Sequence, residues 1–348
     1  MDTIRARLGD PSQIASAREI RLVDGNEDGV RAVDVRVQGG VHALVLTDRG
    51  MDIGAAWFAG QPLAWQSTTG VVHPAYYRDD VWLRSFHGGL LTTCGLQNVG
   101  PDNVDAGVAY GQHGRISNIP ARNVRTRVIL DPLGVEVEGE LRETDVYGAD
   151  LVLRRRLRFP AGSGRVEIAD EVENQGFEPT VLMLLYHVNL GYPVVADTSR
   201  LVSPAGTVAP LDDASAPYLP EHDTFGRPRP GLPAAVFEHR LADPGARSAT
   251  IGIVNPDGAD GDGLGVAVTF DPTELPRLWR WRMQAPGMYL TGLEPANCTV
   301  RGRAAGRAGG DLTWLAPGVK RPFHVTIVAA VGPGVAALFR APAEGAAG

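Results

Sequence analysis

Between Arg31 and Phe58 the chain alternates apolar and polar residues with a period of two. Val33, Val35 and Val37 are interleaved with Asp34, Arg36 and Gln38, and Gly39-Gly40 then turns the chain. The run Val41 to Thr47 follows, then the polar corner Asp48-Arg49-Gly50-Met51-Asp52 and a further apolar run through Trp57-Phe58. Successive strand side chains point to opposite faces, so this is the signature of an antiparallel meander and not of a βαβ unit. From 123 to 182 the same alternation returns: Val135 to Leu141, Leu151 to Phe159 and Val166 to Val172 each read as a strand. Apolar runs at 249–255, 264–270, 277–283, 288–294 and 323–331 continue it. The pattern predicts an all-β protein, one large antiparallel β-sandwich with very little helix. That sandwich is expected to occupy 21–340. An N-terminal arm of short helix-compatible pieces, broken at Gly9-Asp10-Pro11, precedes it over 1–20, and a tail over 341–348 frays.

Two runs carry more than a core requires. Leu182 to Val188 is apolar apart from His187, and it leads into Asn189-Leu190-Gly191 and a Tyr192-Pro193 stop. A polar ring near the end of such a strand can leave the core for a cleft. Tyr289 to Leu293 is a second apolar strand, carrying Glu294 immediately before Pro295. A histidine and a carboxylate on separate strands are candidates for an acid/base pair. Phe86-His87-Gly88-Gly89 and Gln112-His113-Gly114-Arg115 each set a histidine before glycine, which permits close backbone approach at a cleft. Residues 210–234 form a long polar stretch holding Tyr218, Glu221 and His222, and a loop of that length inside a compact domain is a candidate cleft cover. Trp279 and Trp281 share one face of a strand, where core packing competes with ring stacking on a ligand. The Arg154-Arg155-Arg156 run reads as a solvated strand face.

Composition narrows the chemistry. A net charge of −7 over 348 residues without a basic tract argues against nucleic-acid binding. Lys320 is the only lysine, in a late loop beside Pro322, which disfavours Schiff-base chemistry. Cys94 and Cys298 lack CxxC spacing and are expected to be free thiols, Cys94 as a small core residue. No stretch approaches the ~20 apolar residues of a membrane span. The N-terminus carries no apolar secretory core, so a cytoplasmic location is expected.

Phe86-His87-Gly88-Gly89 resembles the LHGG segment of the aldose 1-epimerases, the galactose mutarotases. Tyr186-His187-Val188-Asn189-Leu190 is similar to the strand carrying their catalytic histidine, and Leu293-Glu294-Pro295 to the strand carrying their general base. The three occur in the family's order at roughly its spacing, and Leu151 to Asn174 resembles the segment leading into the histidine. The chain departs from the pattern after His187, where Val188 alone separates it from Asn189. The Asp48 to Ile53 and His113 to Asn118 stretches are similar to a divergent aldose-1-epimerase-like branch.

The resemblance implies a galactose mutarotase-like supersandwich and an isomerase that exchanges sugar anomers at C1. In it Glu294 is the base and His187 the acid. It implies no cofactor and no metal. Its partner is a small-molecule sugar or sugar acid, and the protein is a monomer or homodimer. Arg49 takes the place of a substrate-binding arginine. His87, His113, Arg115, Glu221 and Trp281 complete the expected substrate contacts. Two rivals remain open at this point: a metal-assisted isomerase or lyase using His87, His113, His187 and Glu294, and a non-catalytic carbohydrate-binding protein.

Overall fold

The computed structural model describes residues 6–339, so the expected tail over 341–348 lies outside the described residues. Antiparallel strands dominate, and the one α-helix among the described residues, Arg303–Gly309, is two turns long. Part of the expected N-terminal arm is a strand: Ala15–Arg21 pairs along its whole length with Arg31–Val37. The Arg31–Val37 partner supplies a ladder edge that the local sequence of 1–20 does not advertise.

Three sheets enclose the main core. A five-stranded sheet runs from Ala15 to Pro62 in chain order. An eight-stranded sheet has Asp150–Pro160 and Arg165–Asn174 near its middle, in register from Leu151 opposite Asn174 to Arg158 opposite Glu167. The six-stranded sheet holds, side by side, Ala205–Pro210, Ala235–Leu241, Arg277–Ala285, Met288–Ala296, Met183–Leu190 and Thr92–Leu96. Backbone hydrogen bonds between Ile53 and Leu91 tie the five-stranded sheet to the six-stranded one.

The strand Met183–Leu190 is buried along its whole length, so its alternation separates two interiors. Leu182, Leu184, Tyr186, Val188 and Leu190 enter the main core with Leu153, Leu157, Val325 and Ile327. Met183 and Leu185 face the other way, into a second cluster with Trp65, Trp82, Phe86, Cys94 and Trp279. Burying an aromatic side chain removes roughly 150–250 Å² from water, so four such rings give this second cluster a substantial apolar core of its own. His187, one position beyond Tyr186 and two beyond Leu185, belongs to this second face. It sits in mid-strand and not at the strand's end.

Arg155 departs from the expected solvated face. Its side chain is fully buried and ion-paired to Asp170 at 2.7 Å and Asp52 at 3.1 Å. Residues 151, 153, 155, 157 and 159 share one face of their strand, and that face is the core, so only Arg154 and Arg156 point outward.

Candidate active site

The histidine strand Met183–Leu190 and the glutamate strand Met288–Ala296 are antiparallel neighbours, with Leu185 opposite Ala296 and Val188 opposite Leu293. This register sets His187 against Glu294. Their reacting atoms, His187 Nε2 and Glu294 Oε1, are 3.2 Å apart, with both side chains almost wholly buried. That is within reach of a shared proton. The pair is nevertheless not aligned as a hydrogen bond, and Glu294 Oε1 and His187 Nδ1 have no hydrogen-bond partner. Catalytic pairs are often loose before substrate arrives.

Gly292, two residues before Glu294 on the same face, lets both side chains of the pair press against the backbone. A Cβ there would lie 2.5 Å from Glu294 Oε1 and 2.8 Å from His187 Cε1. Aromatic rings form the walls. Phe86 and Trp281 stand 5.5 and 5.6 Å from the His187 ring, and Trp65 packs edge-on against Trp281 at 6.2 Å. His113 meets His187 perpendicularly at 6.2 Å and leans on Trp82 at 4.7 Å. Trp279, opposite Glu294 across the ladder, is buried and donates its indole N–H to the Cys298 carbonyl at 3.1 Å, so it packs as core.

The glycines of Phe86-His87-Gly88-Gly89 are required by packing. Gly88 has φ of +73°, and a Cβ on it would sit 2.7 Å from the Trp65 ring. The chain thereby presents Phe86 to the site. His87 is buried elsewhere, with neither ring nitrogen hydrogen-bonded, and burial together with the charge of Arg49 holds it neutral.

Electrostatically the site favours neutral groups. Burial pushes the Glu294 carboxyl up to about 8, against an opposing backbone hydrogen bond from Trp281. Burial, with help from His113, pushes His187 down to about 3, and burial alone lowers His113 to about 4. The expectation of an ionised glutamate beside a protonated imidazole is therefore reversed in the resting site. The pair carries one proton at neutral pH, and desolvation puts it on the carboxyl.

The structure gathers Glu294, His187, His113 and Trp281 into one place. It puts the other four expected substrate contacts elsewhere. Arg49 is buried and donates to the carbonyls of Ser117, Val72 and Ser85 at 2.9, 2.6 and 2.7 Å, fastening the loops that frame the site. Arg115 pairs with Asp145 at 2.9 Å and lines a separate cleft of about 1000 Å³ that touches neither His187 nor Glu294. Glu221 holds Arg282 at 3.1 Å and Arg229 at 3.0 Å, which keep its carboxyl below the usual range.

Phe86, Trp65 and Trp82 are additions that sequence reasoning passed over. Their signal was present for Phe86 alone: two residues bracket the turn into Gly88-Gly89, and only one can face the cleft. Among the described residues, no three His, Cys, Asp or Glu side chains cluster as a metal ligand set.

A family profile described as "Domain of unknown function (DUF4432)" matches residues 27–329. The chain belongs to the DUF4432 family. No curated protein matches this DUF4432 chain. Among solved structures, a Klebsiella pneumoniae protein provisionally described as an aldose 1-epimerase is similar at TM-score 0.87 and 23% identity, over 97% of this chain and 88% of that one. A galactose 1-epimerase from Lactobacillus acidophilus aligns at TM-score 0.61 and 13% identity, over 91% and 99%. A galactose mutarotase-like protein from Clostridium acetobutylicum aligns at 0.61 and 13%, over 92% and 99%. At these identities the likeness is one of fold. This DUF4432 member has the galactose mutarotase-like, mostly-β architecture, and no helix among its described residues is long and apolar enough to cross a membrane.

Proposed function

We propose that the protein is a carbohydrate 1-epimerase that exchanges anomers by opening and reclosing a hemiacetal ring, with Glu294 and His187 moving the protons. The observation that carries this reading is the 3.2 Å approach of Glu294 Oε1 to His187 Nε2 over the bare backbone of Gly292.

Ring opening needs one proton removed from the C1 hydroxyl and one delivered to the ring oxygen. A dyad holding a single proton can do both: one member donates while the other accepts. The pair is then left with its proton on the opposite member. Rotation about the C1–C2 bond presents the other face of the carbonyl, and the two transfers run backwards. The pair returns to its starting state, so no net proton is consumed and no redox step occurs. Because burial places the resting proton on Glu294, the carboxyl is the donor on the first stroke and neutral His187 the acceptor. In the reclosing stroke Glu294 is the base, taking the proton from the C5 hydroxyl, and His187 the acid, returning one to the C1 oxygen, the reverse at each oxygen of the assignment that the family resemblance implies. Each positioned transfer is worth roughly 10²–10⁴ in rate.

The aromatic walls suit the C–H face of a pyranose, with Phe86 and Trp281 flanking His187 at 5.5 and 5.6 Å. The experiment is exchange NMR of anomeric protons across a panel of neutral, deoxy and acidic sugars, with Glu294→Gln as control. Acceleration for at least one sugar, lost in the variant, supports the reading. A wild-type protein that binds a sugar without speeding its exchange makes a binding protein the better account.

A further inference from the structure

On the strand Arg277–Ala285, Arg280 and Arg282 alternate with Trp279 and Trp281, so their guanidinium groups enter the face opposite the dyad. Both are buried, and their partners do not balance them. Arg282 Nη2 donates to Glu221 at 3.1 Å and to the Gln284 side-chain oxygen at 3.0 Å. Arg280 Nε donates to the Thr291 hydroxyl at 3.1 Å, and Nη1 donates to the His222 carbonyl. Its Nη2 is sealed from solvent without a partner. No carboxylate stands within 4.0 Å of Arg280 among the described residues; Asp223 acts on it only from an exposed position at a distance. Two guanidinium groups therefore face one bound carboxylate.

Two imidazoles share the same corner. His239 Nδ1 is 2.8 Å from the Ser203 hydroxyl. When that hydroxyl, which also accepts from the Ala205 backbone N–H, gives its proton to Nδ1, the His239 ring N–H stands on Nε2. His239 Nε2 is buried with no acceptor. The His222 ring lies 5.8 Å from that of His239, and its Nδ1 is likewise unpartnered. The Arg280 charge acts on both imidazoles and their rings adjoin, so the three groups are neighbours.

A buried charge without a compensating partner is strongly unfavourable. Water would satisfy orphaned donors but leave the charge, whereas an anion does both. The donors are enclosed, which restricts the occupant to something small and stripped of its own water. We propose that the unpartnered Arg280 Nη2, with the His239 and His222 rings beside it, binds one small monovalent anion of chloride size.

The test is the thermal midpoint of the full chain against sodium chloride, with sodium gluconate holding ionic strength constant. The midpoint should rise with chloride and follow its logarithm once the site begins to saturate. Arg280→Met should abolish that dependence. Should that variant fail to fold, bromide-soaked crystals of the wild type decide the matter, with an anomalous peak expected between Arg280 and His239. A midpoint indifferent to chloride, or density at the site that carries no bromide signal and refines as water, overturns the proposal.

Discussion

Tyr186 and His187 are consecutive residues that enter two buried polar networks with opposite accounts. Tyr186 donates its hydroxyl to Asp170 at 2.8 Å, in the main core. Arg155 binds the same carboxylate through two nitrogens and reaches Asp52 and the Gly50 carbonyl with a third, at 3.1 and 3.0 Å. Thr93 closes the set, donating backbone N–H and hydroxyl to Asp52 at 3.0 and 2.6 Å. Two carboxylates share one guanidinium there, none of their buried polar atoms lacks a partner, and the network joins five strands. One residue further on, the other network is His187 and Glu294, short of partners and held neutral by desolvation. Buried polar groups with every partner in place fix geometry. Unmatched buried polar atoms, kept apart by a glycine and rigid rings, are left available for chemistry.

The comparison can be broken from either side. Arg155→Met leaves Asp52 and Asp170 buried without their cation, and should cost about 3–5 kcal/mol by urea unfolding. That loss should grow as pH rises, because Asp52, already pushed up to about 6 by burial, must then be ionised without support. A loss below 1 kcal/mol would remove the structural half of the contrast. Gly292→Ala puts a methyl group against Glu294 Oε1 and His187 Cε1, both at the ends of side chains that can swing aside. Displacement of reacting groups by about an ångström costs on the order of 10²-fold in rate. Turnover should fall by about that much while the urea midpoint hardly moves.

Titration sharpens it further. The Glu294 carboxyl is raised in the folded state, so its contribution to stability is complete below the ordinary carboxylate range and is lost as pH climbs towards about 8. His187 is lowered, so its contribution is complete above the ordinary imidazole value and is lost as pH falls towards about 3. Glu294→Gln should therefore gain stability relative to wild type between pH 5 and 8, by roughly one to a few kcal/mol. Catalysis should be level across the one-proton window and decline above about pH 8. The smallest effect belongs to Trp281→Leu, which removes a wall and no proton: KM should rise severalfold with turnover little changed.

Much of the fold was legible because period-two alternation survives in long strands such as Val135 to Leu141 and Val166 to Val172. The dyad was legible as a lone imidazole and a lone carboxylate on apolar strands. Arg155 was misread although its parity was plain: it shares a face with Leu153 and Leu157, and Asp170 shares one with Ile168 and Val172. Polar residues at inward positions announce buried partners. Arg280 repeats the signal after Leu278. Arg49 could not be read, since its three carbonyl acceptors lie in loops 23 to 68 residues away. Trp65 and Trp82 were hidden for the same reason, because they come from irregular connections with no periodicity.

The central claim is that His187 and Glu294 act as one unit on one proton. Anomeric exchange rates should be measured for wild type, Glu294→Gln, His187→Gln and the double variant, on whichever sugar the wild type accelerates most. Each single change should slow exchange by roughly 10²–10⁴, and the double variant should be no slower than the worse single, because half a dyad transfers nothing. Losses that multiply in the double variant, or a single variant that keeps most of its rate, would contradict the claim.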